Sequence, residues 1–272
     1  MRERAGFDEA FLGVPVPLPS LAGVATARLD YTHFSVLMHL PRRLAATTAV
    51  GIDGASVIEV PRTRDVWVLD PRLAADQQTG EAVYAANPLD RGHLVRRRDP
   101  AWGSAEVAAA ANADTFTFTN CAPQAAVFNQ SKQLWNGLED YLLDNATAND
   151  RRLVVITGPV LAASDPMYRG VQLPRRFCKV AAFIDGGDLA ATAYILDQTS
   201  LIQDLPALRP GPPPPLGAYR TFQVPVTDVA ALTGLDLGDL PAADRYRLPE
   251  RARPTAAHVS RWTELTSYAD IG

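Results

Sequence analysis

The feature that most constrains the fold is a succession of short β-prone runs interrupted by only a few helix-prone stretches. The runs at 31–40 and 47–52 are rich in residues that favour strands. Two further runs, 179–185 and 191–197, flank Gly186–Gly187, which predicts a hairpin. Strands of this kind with separate helices indicate an α+β fold with a mixed, mainly antiparallel sheet core.

Four other stretches read as strands. The segment 115–120 (TFTFTN) alternates with a period of two, as a half-buried strand does. The segment 64–72 is predicted to be a strand that leads into a turn, and a short strand is predicted around 93–96. The run 153–157 is predicted to end in a turn at Gly158–Pro159.

Three helices are expected. The alanine-rich segment 103–114 favours one helix, and the segment 128–144 has apolar residues at helical spacing. A strand at 218–226 is followed by a short helix with Thr227 as its cap. The proline-rich segment 205–217 is interpreted as a surface connector, with partner docking as the alternative.

The composition is that of an ordinary globular protein. With 47% hydrophobic and 21% charged residues in 272, it excludes a disordered, collagen-like or coiled-coil chain. A net charge of −4 argues mildly against a nucleic-acid partner. No run reaches the ~18 apolar residues of a membrane span, and no secretory signal is recognisable. The expected location is therefore cytoplasmic and away from membranes, with signal-independent export left open.

Two cysteines, Cys121 and Cys178, are too few for a disulfide scaffold or a paired metal motif. Whether they pair is left open by the sequence.

One run, Asp-Arg-Gly-His at 90–93, stands out for its chemistry. It places the cation of Arg91 and the titratable base of His93 near one point, and the glycine between them allows close backbone approach. The basic run 96–98 follows directly. The remaining histidines are interpreted as packing or surface residues: His33, His39 and His258.

Four motifs in order carry a family resemblance. They are DRGH at 90–93, TN-x-x-PQ at 119–124, FNQ at 128–130 and W-x-x-LE at 135–139. Together they resemble the DNA/RNA non-specific endonucleases, the endonuclease G-like ββα-metal nucleases. The similarity covers roughly residues 30–200, including the segments 154–159 and 173–180.

The resemblance implies a single nuclease domain over 1–272. A ββα-metal core would occupy about 60–200, and a C-terminal extension about 205–272 would have no assigned role. The implied activity is Mg²⁺-dependent, sequence-non-specific hydrolysis of DNA and RNA phosphodiesters that leaves 5′-phosphate ends. Mn²⁺ is an alternative to Mg²⁺. The resemblance also implies a homodimer.

Three residues match the family's central positions. His93 matches the general base, whose ordinary pKa lies close to working pH. Asn129 matches the ligand of a single magnesium ion, a metal that prefers oxygen ligands and keeps most of its waters. Glu139 matches the acidic residue that orients those waters.

Other positions match phosphate-binding or supporting residues, and each keeps an alternative. Arg91 and Arg64 match phosphate-contacting arginines, although Arg62 competes with Arg64 for that position. Asn120 and Gln124 match polar supports, and Asn120 has a strand-end cap as its alternative. Two further residues are candidates near the substrate: Asp90, whose alternative is to fix the loop, and Arg96, whose alternative is a solvated charge.

The sequence departs from the family pattern in one spacing. Ten residues separate Asn129 from Glu139, more than the family commonly shows. Two extra helical residues would rotate Glu139 by about 200° and add 3 Å of rise. The favoured interpretation is that the insertion is absorbed before the helix begins, around Ser131–Lys132. The alternative displaces Glu139 from the metal.

Two rival functions remain. One is a catalytically silent module that binds nucleic acid or another protein, against which the intact His93, Asn129 and Arg91 argue. The other keeps the nuclease but makes it a toxin or defence effector that a partner or inhibitor protein controls, because an active nuclease inside a cell must be restrained.

Overall fold

The computed structural model describes residues 4–62, 65–126, 135–202, 220–247 and 262–265. In that part of the chain the strands and helices are β1 (Ser20–Leu21), β2 (Thr26–Asp30), β3 (Phe34–His39), β4 (Leu44–Asp53), β5 (Leu89–His93), α1 (Ala105–Asp114), β6 (Cys121–Ala125), α2 (Trp135–Ala148), β7 (Arg152–Val160), β8 (Met167–Tyr168), β9 (Val171–Gln172), β10 (Arg176–Asp185), β11 (Asp188–Asp197), α3 (Thr199–Ile202), β12 (Arg220–Val224), α4 (Val226–Thr233), β13 (Leu235–Asp236) and β14 (Thr263–Leu265).

The centre of the fold is an eight-stranded sheet. Its strand order is β14-β12-β11-β10-β7-β4-β3-β2, and every neighbouring pair is antiparallel. A separate two-stranded antiparallel ribbon is formed by β5 and β6. The predicted α+β class with a mainly antiparallel sheet is therefore confirmed.

Each face of the sheet packs into its own hydrophobic core, because side chains alternate along a strand. On β7, Leu153 and Val155 belong to one core, and Val154 and Ile156 belong to the other. The first core also takes in the β5–β6 ribbon and α2. The second lies under the N-terminal segment and α4. The ribbon and α2 are thus held on one face of the sheet.

The predicted hairpin at Gly186–Gly187 is confirmed. Strands β10 and β11 pair from Arg176 with Asp197 to Asp185 with Asp188. Both glycines have positive φ, 61° and 95°, as a two-residue type I′ hairpin turn requires.

The prediction of a strand at 115–120 is wrong. After α1 the chain forms a 3₁₀ turn over Phe118–Asn120, and β6 starts only at Cys121. The alternating threonines have another role. The hydroxyl groups of Thr115 and Thr117 donate to the carbonyls of Asn112 and Asp114 at the end of α1, at 2.7 and 3.2 Å.

The prediction of a strand at 64–72 is also wrong for its described part, 65–72. Only an isolated parallel bridge, between Val68 and Thr117, forms there. Asp70 ends the extended run because its carboxylate accepts from the backbone N–H of Arg72 at 2.9 Å and so turns the chain.

Two strand boundaries differ from prediction. β7 continues through Gly158–Pro159 to Val160, beyond the stretch that pairs with β4, where a proline is tolerated. A Cβ on Gly158 would lie 2.4 Å from the Ala46 carbonyl oxygen, so only glycine allows the two strands to approach this closely. The strand expected around 93–96 instead ends at His93, which places the whole DRGH run in β5.

All three helix predictions are confirmed in type, the one at 128–144 within its described part (α2, Trp135–Ala148), and one cap prediction is wrong. α1 begins after Ser104, whose hydroxyl accepts from the Val107 N–H. α4 begins at Val226 rather than after Thr227, since its first N–H is bonded by the Asp244 carboxylate at 2.8 Å. A cap supplied from a distant residue leaves no local signal. No helix in the described ranges is long and apolar enough to cross a membrane.

Candidate active site

The DRGH run forms one strand of the β5–β6 ribbon. Its register pairs Asp90 with Gln124, Gly92 with Ala122 and His93 with Cys121. Because paired residues share a face and neighbours alternate, His93 and Arg91 lie on one face of the ribbon. Asp90 and Gln124 lie on the other.

The glycine of the run is required by its neighbour Gln124. A Cβ built on Gly92 would lie 2.1 Å from the Gln124 side-chain carbonyl carbon. Gln124 is fully buried, and neither its Oε1 nor its Nε2 has a hydrogen-bond partner among the described residues. An unpaired buried amide is costly, because it has lost its hydrogen bonds to water without gaining others.

His93 packs against two aromatic rings that also contact each other. The Trp67 ring lies 4.7 Å from the imidazole centroid, tilted by 49°, and the Phe116 ring meets it edge-on at 5.1 Å. The His93 Nε2 atom is buried, and nothing in the described part of the chain bonds it. The sequence does not single out either ring, because their contact with His93 is tertiary.

The surroundings of His93 keep its imidazole neutral. Burial lowers the pKa of His93 to about 3, and nearby arginines act in the same direction, while the carboxylate of Asp65 opposes them. A neutral imidazole has a free lone pair at neutral pH, so it can accept a proton.

Asn120 holds the backbone segment that follows His93. Its Oδ1 accepts from the Val95 N–H at 3.0 Å, and its Nδ2 donates to the Val95 and Thr115 carbonyls at 2.9 and 3.0 Å. The side chain is fully buried. The alternative of a strand-end cap is therefore wrong, because no strand ends at Asn120 and its amide instead joins the two segments that flank the ribbon.

The two described arginines that the sequence assigns to the site are paired with carboxylates. Arg91 forms an ion pair with Glu81 and lies over the Tyr84 ring, 5.6 Å from its centroid. Arg96 donates to Asp140 of α2 at 2.7 Å. Arg96 therefore ties the segment after the ribbon to α2.

The other two arginines of the basic run 96–98 are also paired with a carboxylate. Arg97 and Arg98 lie 3.7 and 3.2 Å from the carboxylate of Glu59. Arg62, the rival of Arg64, is bonded to Asp65 at 2.7 Å. A strongly positive wall built from 96–98 does not form in this arrangement.

Three predicted site residues have side chains outside the described part of the chain. Arg64 and Asn129 lie outside the described residues, as do Ser131 and Lys132, where the extra spacing is expected to be absorbed. Glu139 belongs to α2, but its side chain is not described. The spacing argument therefore stays a prediction.

The described residues restrict how a metal would be held. Among them no three His, Cys, Asp or Glu side chains gather as a ligand cluster. A magnesium ion needs only one or two protein oxygens, since it keeps several waters. The neutral His93 is compatible with a nearby hydrated cation, because it does not repel it.

The two cysteines do not pair. Both are buried with free thiols, and burial raises the pKa of each to about 12. Cys121 lies 3.5 Å from the Tyr84 hydroxyl, and Cys178 donates to the Gly158 carbonyl. Thiols with so high a pKa carry little thiolate, so neither suits nucleophilic or metal chemistry at neutral pH.

The antiparallel ribbon, the half-buried histidine at its end and the following helix can now be set beside the comparisons with known proteins. A sequence model of the DNA/RNA non-specific endonuclease family matches residues 19–244. The chain belongs to that family, and its class is that of nuclease hydrolases.

Two individual matches agree with this assignment. An uncharacterized protein, y4fB of Sinorhizobium fredii, is 39% identical over 274 residues, which cover 92% of this chain and 41% of that protein. The chain thus spans about two fifths of the length of this relative. The fold is similar to that in the crystal structure of the EndoG/EndoGI complex, which concerns the mechanism of EndoG inhibition. The TM-score is 0.58 at 19% identity, over 77% of this chain and 84% of that one.

Proposed function

We propose that this chain is a Mg²⁺-dependent endonuclease that hydrolyses DNA and RNA phosphodiesters without sequence preference and leaves 5′-phosphate ends. The observation that carries the proposal is His93, a neutral imidazole at the end of the DRGH strand with an unpaired nitrogen. Family membership supplies the reaction class. The single-domain organisation is part of the same proposal.

In this mechanism His93 takes a proton from a water molecule, and the water oxygen attacks phosphorus. The P–O bond to the 3′ oxygen breaks, that oxygen takes up a proton and leaves as a hydroxyl, and the phosphate stays on the 5′ oxygen of the next nucleotide. Trp67 and Phe116 hold the imidazole in place through their ring contacts. Asn120 holds the backbone that follows it.

Asn129 would hold the magnesium ion, and Glu139 would orient its waters. When bound, the ion supplies positive charge beside the phosphate. Gln124 offers its buried amide as a polar support on the opposite face of the ribbon.

Arg91 would contact phosphate. Because it is ion-paired with Glu81, this contact requires that the substrate compete with a carboxylate for the guanidinium. Arg64 would supply the second phosphate contact. Asp90 shares the Gln124 face and would fix the ribbon rather than touch the substrate. Arg96 holds α2 through Asp140 and has a supporting role in this scheme.

The test is digestion of plasmid DNA and of RNA with Mg²⁺ by the wild type, His93→Ala and Asn129→Ala. General acid–base catalysis contributes on the order of 10²–10⁴ in rate, so His93→Ala should lose at least about a hundredfold. EDTA should abolish cleavage. The matched controls are His39→Ala, at the end of β3, and Asn149→Ala, an exposed residue after α2, and both should cleave as the wild type does.

The same experiment separates the rival functions. Binding of labelled DNA without cleavage by any of these proteins would support a silent nucleic-acid-binding module instead. Cleavage that persists in His93→Ala would remove the proposed base.

Partner proteins belong to the proposal as well. The structure with the similar fold is that of EndoG in its complex with EndoGI, and it concerns the inhibition of EndoG. By analogy we expect an inhibitor or regulatory protein for this chain, and a homodimer from its family. Sedimentation of the purified chain measures its mass and so tests the homodimer. Titration of a candidate inhibitor protein, with cleavage as the readout, tests the expected inhibition.

A further inference from the structure

A cleft lies beside His93, between α1 and the segment that precedes Trp67. Its volume is about 280 Å³, and its walls include Val60, Arg62, Arg97, Ala109, Ala113 and Phe116. Pockets for drug-sized ligands start near ~300 Å³, so the cleft suits one small, flat group rather than a duplex.

The cleft borders the candidate active site through one shared ring. Phe116 lines the cleft and also meets the His93 ring edge-on at 5.1 Å. Arg62 and Arg97 line the same cleft. A group seated in the cleft would therefore contact the ring that packs against His93.

The lining combines two kinds of surface. Ala109 and Ala113 are exposed one helical turn apart on α1, and their small side chains leave the apolar wall open. Phe116 adds an aromatic ring to this wall. Arg62 and Arg97 add guanidinium groups, and the Arg62 side chain is 70% exposed. Both are ion-paired, Arg62 with Asp65, which also lines the cleft, and Arg97 with Glu59. A flat apolar group joined to an anion that can take the place of these carboxylates matches this combination.

We propose that this cleft binds one nucleotide of the substrate strand next to the scissile phosphate, with the base against Ala109, Ala113 and Phe116. Its phosphate faces Arg62 and Arg97. The inference rests on the proposed nuclease function, to which it adds a base-binding subsite. Contacts to an apolar wall and to phosphate accept any base, which agrees with cleavage that ignores sequence.

Two variants of one exposed residue test the cleft. Ala109→Glu places a negative charge in it, and Ala109→Leu fills it without charge. The matched control is Ala231→Glu, the same substitution at an exposed alanine of α4, outside the cleft lining. Binding of 5′-dAMP is measured by calorimetry, which does not depend on cleavage. Circular dichroism verifies that the variants are folded.

The expected result is that the wild type and Ala231→Glu bind 5′-dAMP equally, and that both Ala109 variants bind about tenfold more weakly, as the loss of one base contact predicts. The KM for a short single-stranded oligonucleotide should rise about tenfold in the same two variants, relative to the KM for an abasic oligonucleotide of the same length, which has no base.

Several outcomes would overturn the subsite. They are the absence of 5′-dAMP binding to the wild type, binding that inorganic phosphate matches in strength, and equal binding by wild type and Ala109→Leu. A failure of the proposed function is distinguishable, because the wild type would then cleave neither substrate while the calorimetry still reported on the cleft.

Discussion

Replacing His93 by glutamine should make the free energy of unfolding less sensitive to acid. The native pKa of His93 is about 3, because the ring is buried, whereas its ordinary value is 6.5. Below pH 6.5 the His93 imidazole therefore takes up a proton in the unfolded chain, whereas in the native protein it stays neutral down to about pH 3. Stability consequently rises with pH across this window and falls as the solution is acidified.

The magnitude follows from the two pKa values. At about 1.4 kcal/mol per pH unit, the whole difference between 6.5 and about 3 corresponds to roughly 5 kcal/mol. Between pH 7.5 and pH 5.0 the part due to His93 is about 2 kcal/mol. Urea unfolding at these two pH values should show that the wild type loses about 2 kcal/mol more than His93→Gln.

All other titrating groups are common to the two proteins, so their contribution cancels in this difference. An NMR titration of the His93 ring proton gives an independent measure of the native pKa. Equal losses in the two proteins, together with a ring proton that titrates near pH 6.5, would refute the reasoning that the rings around His93 exclude its charged form.

Three further changes test the packing of the site. Trp67→Leu opens the cover of His93, so the His93 pKa should rise toward 6.5, and the acid limb of kcat/KM should move to higher pH in a pH–rate profile. Gly92→Ala should cost about 1–3 kcal/mol in urea unfolding because its methyl group meets Gln124, and adding Gln124→Ala should recover most of that loss. Asn120→Ala should cost roughly 3 kcal/mol in the same assay, since it leaves buried peptide groups unpaired; a loss under about 0.5 kcal/mol would contradict this role.

Features of the fold that depend on residues close together in the sequence could be predicted. The Gly186–Gly187 hairpin follows from two residues that adopt positive φ at no steric cost. The start of α1 at Ser104 follows from a local cap. The class of the fold follows from the spacing of such signals.

The predictions that are wrong have one physical origin, which is that the same local sequence pattern is compatible with two structures. The threonines at 115 and 117 alternate like strand residues, but their hydroxyls bond the end of α1. Thr227 has the residue type of a helix cap, but Asp244, a residue far along the chain, bonds the first N–H of α4. Competition of this kind is decided by tertiary contacts that no window of sequence contains.

The candidate site divides in the same way. Its motif residues could be named from the sequence, since a histidine, an arginine and a glycine in one strand carry their chemistry with them. Trp67 and Asp140 could not be named, because their roles arise only when a loop and α2 are brought against the ribbon. Gln124 could be named, but the reason for Gly92 beside it required the ribbon's register.

The same contacts that keep His93 neutral also weaken it as a base, because a lower pKa means a lower affinity for the proton. Arg62 and Arg97 contribute to that lowering, and Asp65 opposes it. A substrate phosphate brings negative charge to the same place. It offsets the arginines and stabilises the protonated imidazole, so the basicity of His93 rises when the substrate is bound. In the proposed function these arginines would therefore act in two ways: they would bind the phosphate, and they add to the effect of burial that keeps the base neutral before the phosphate is bound.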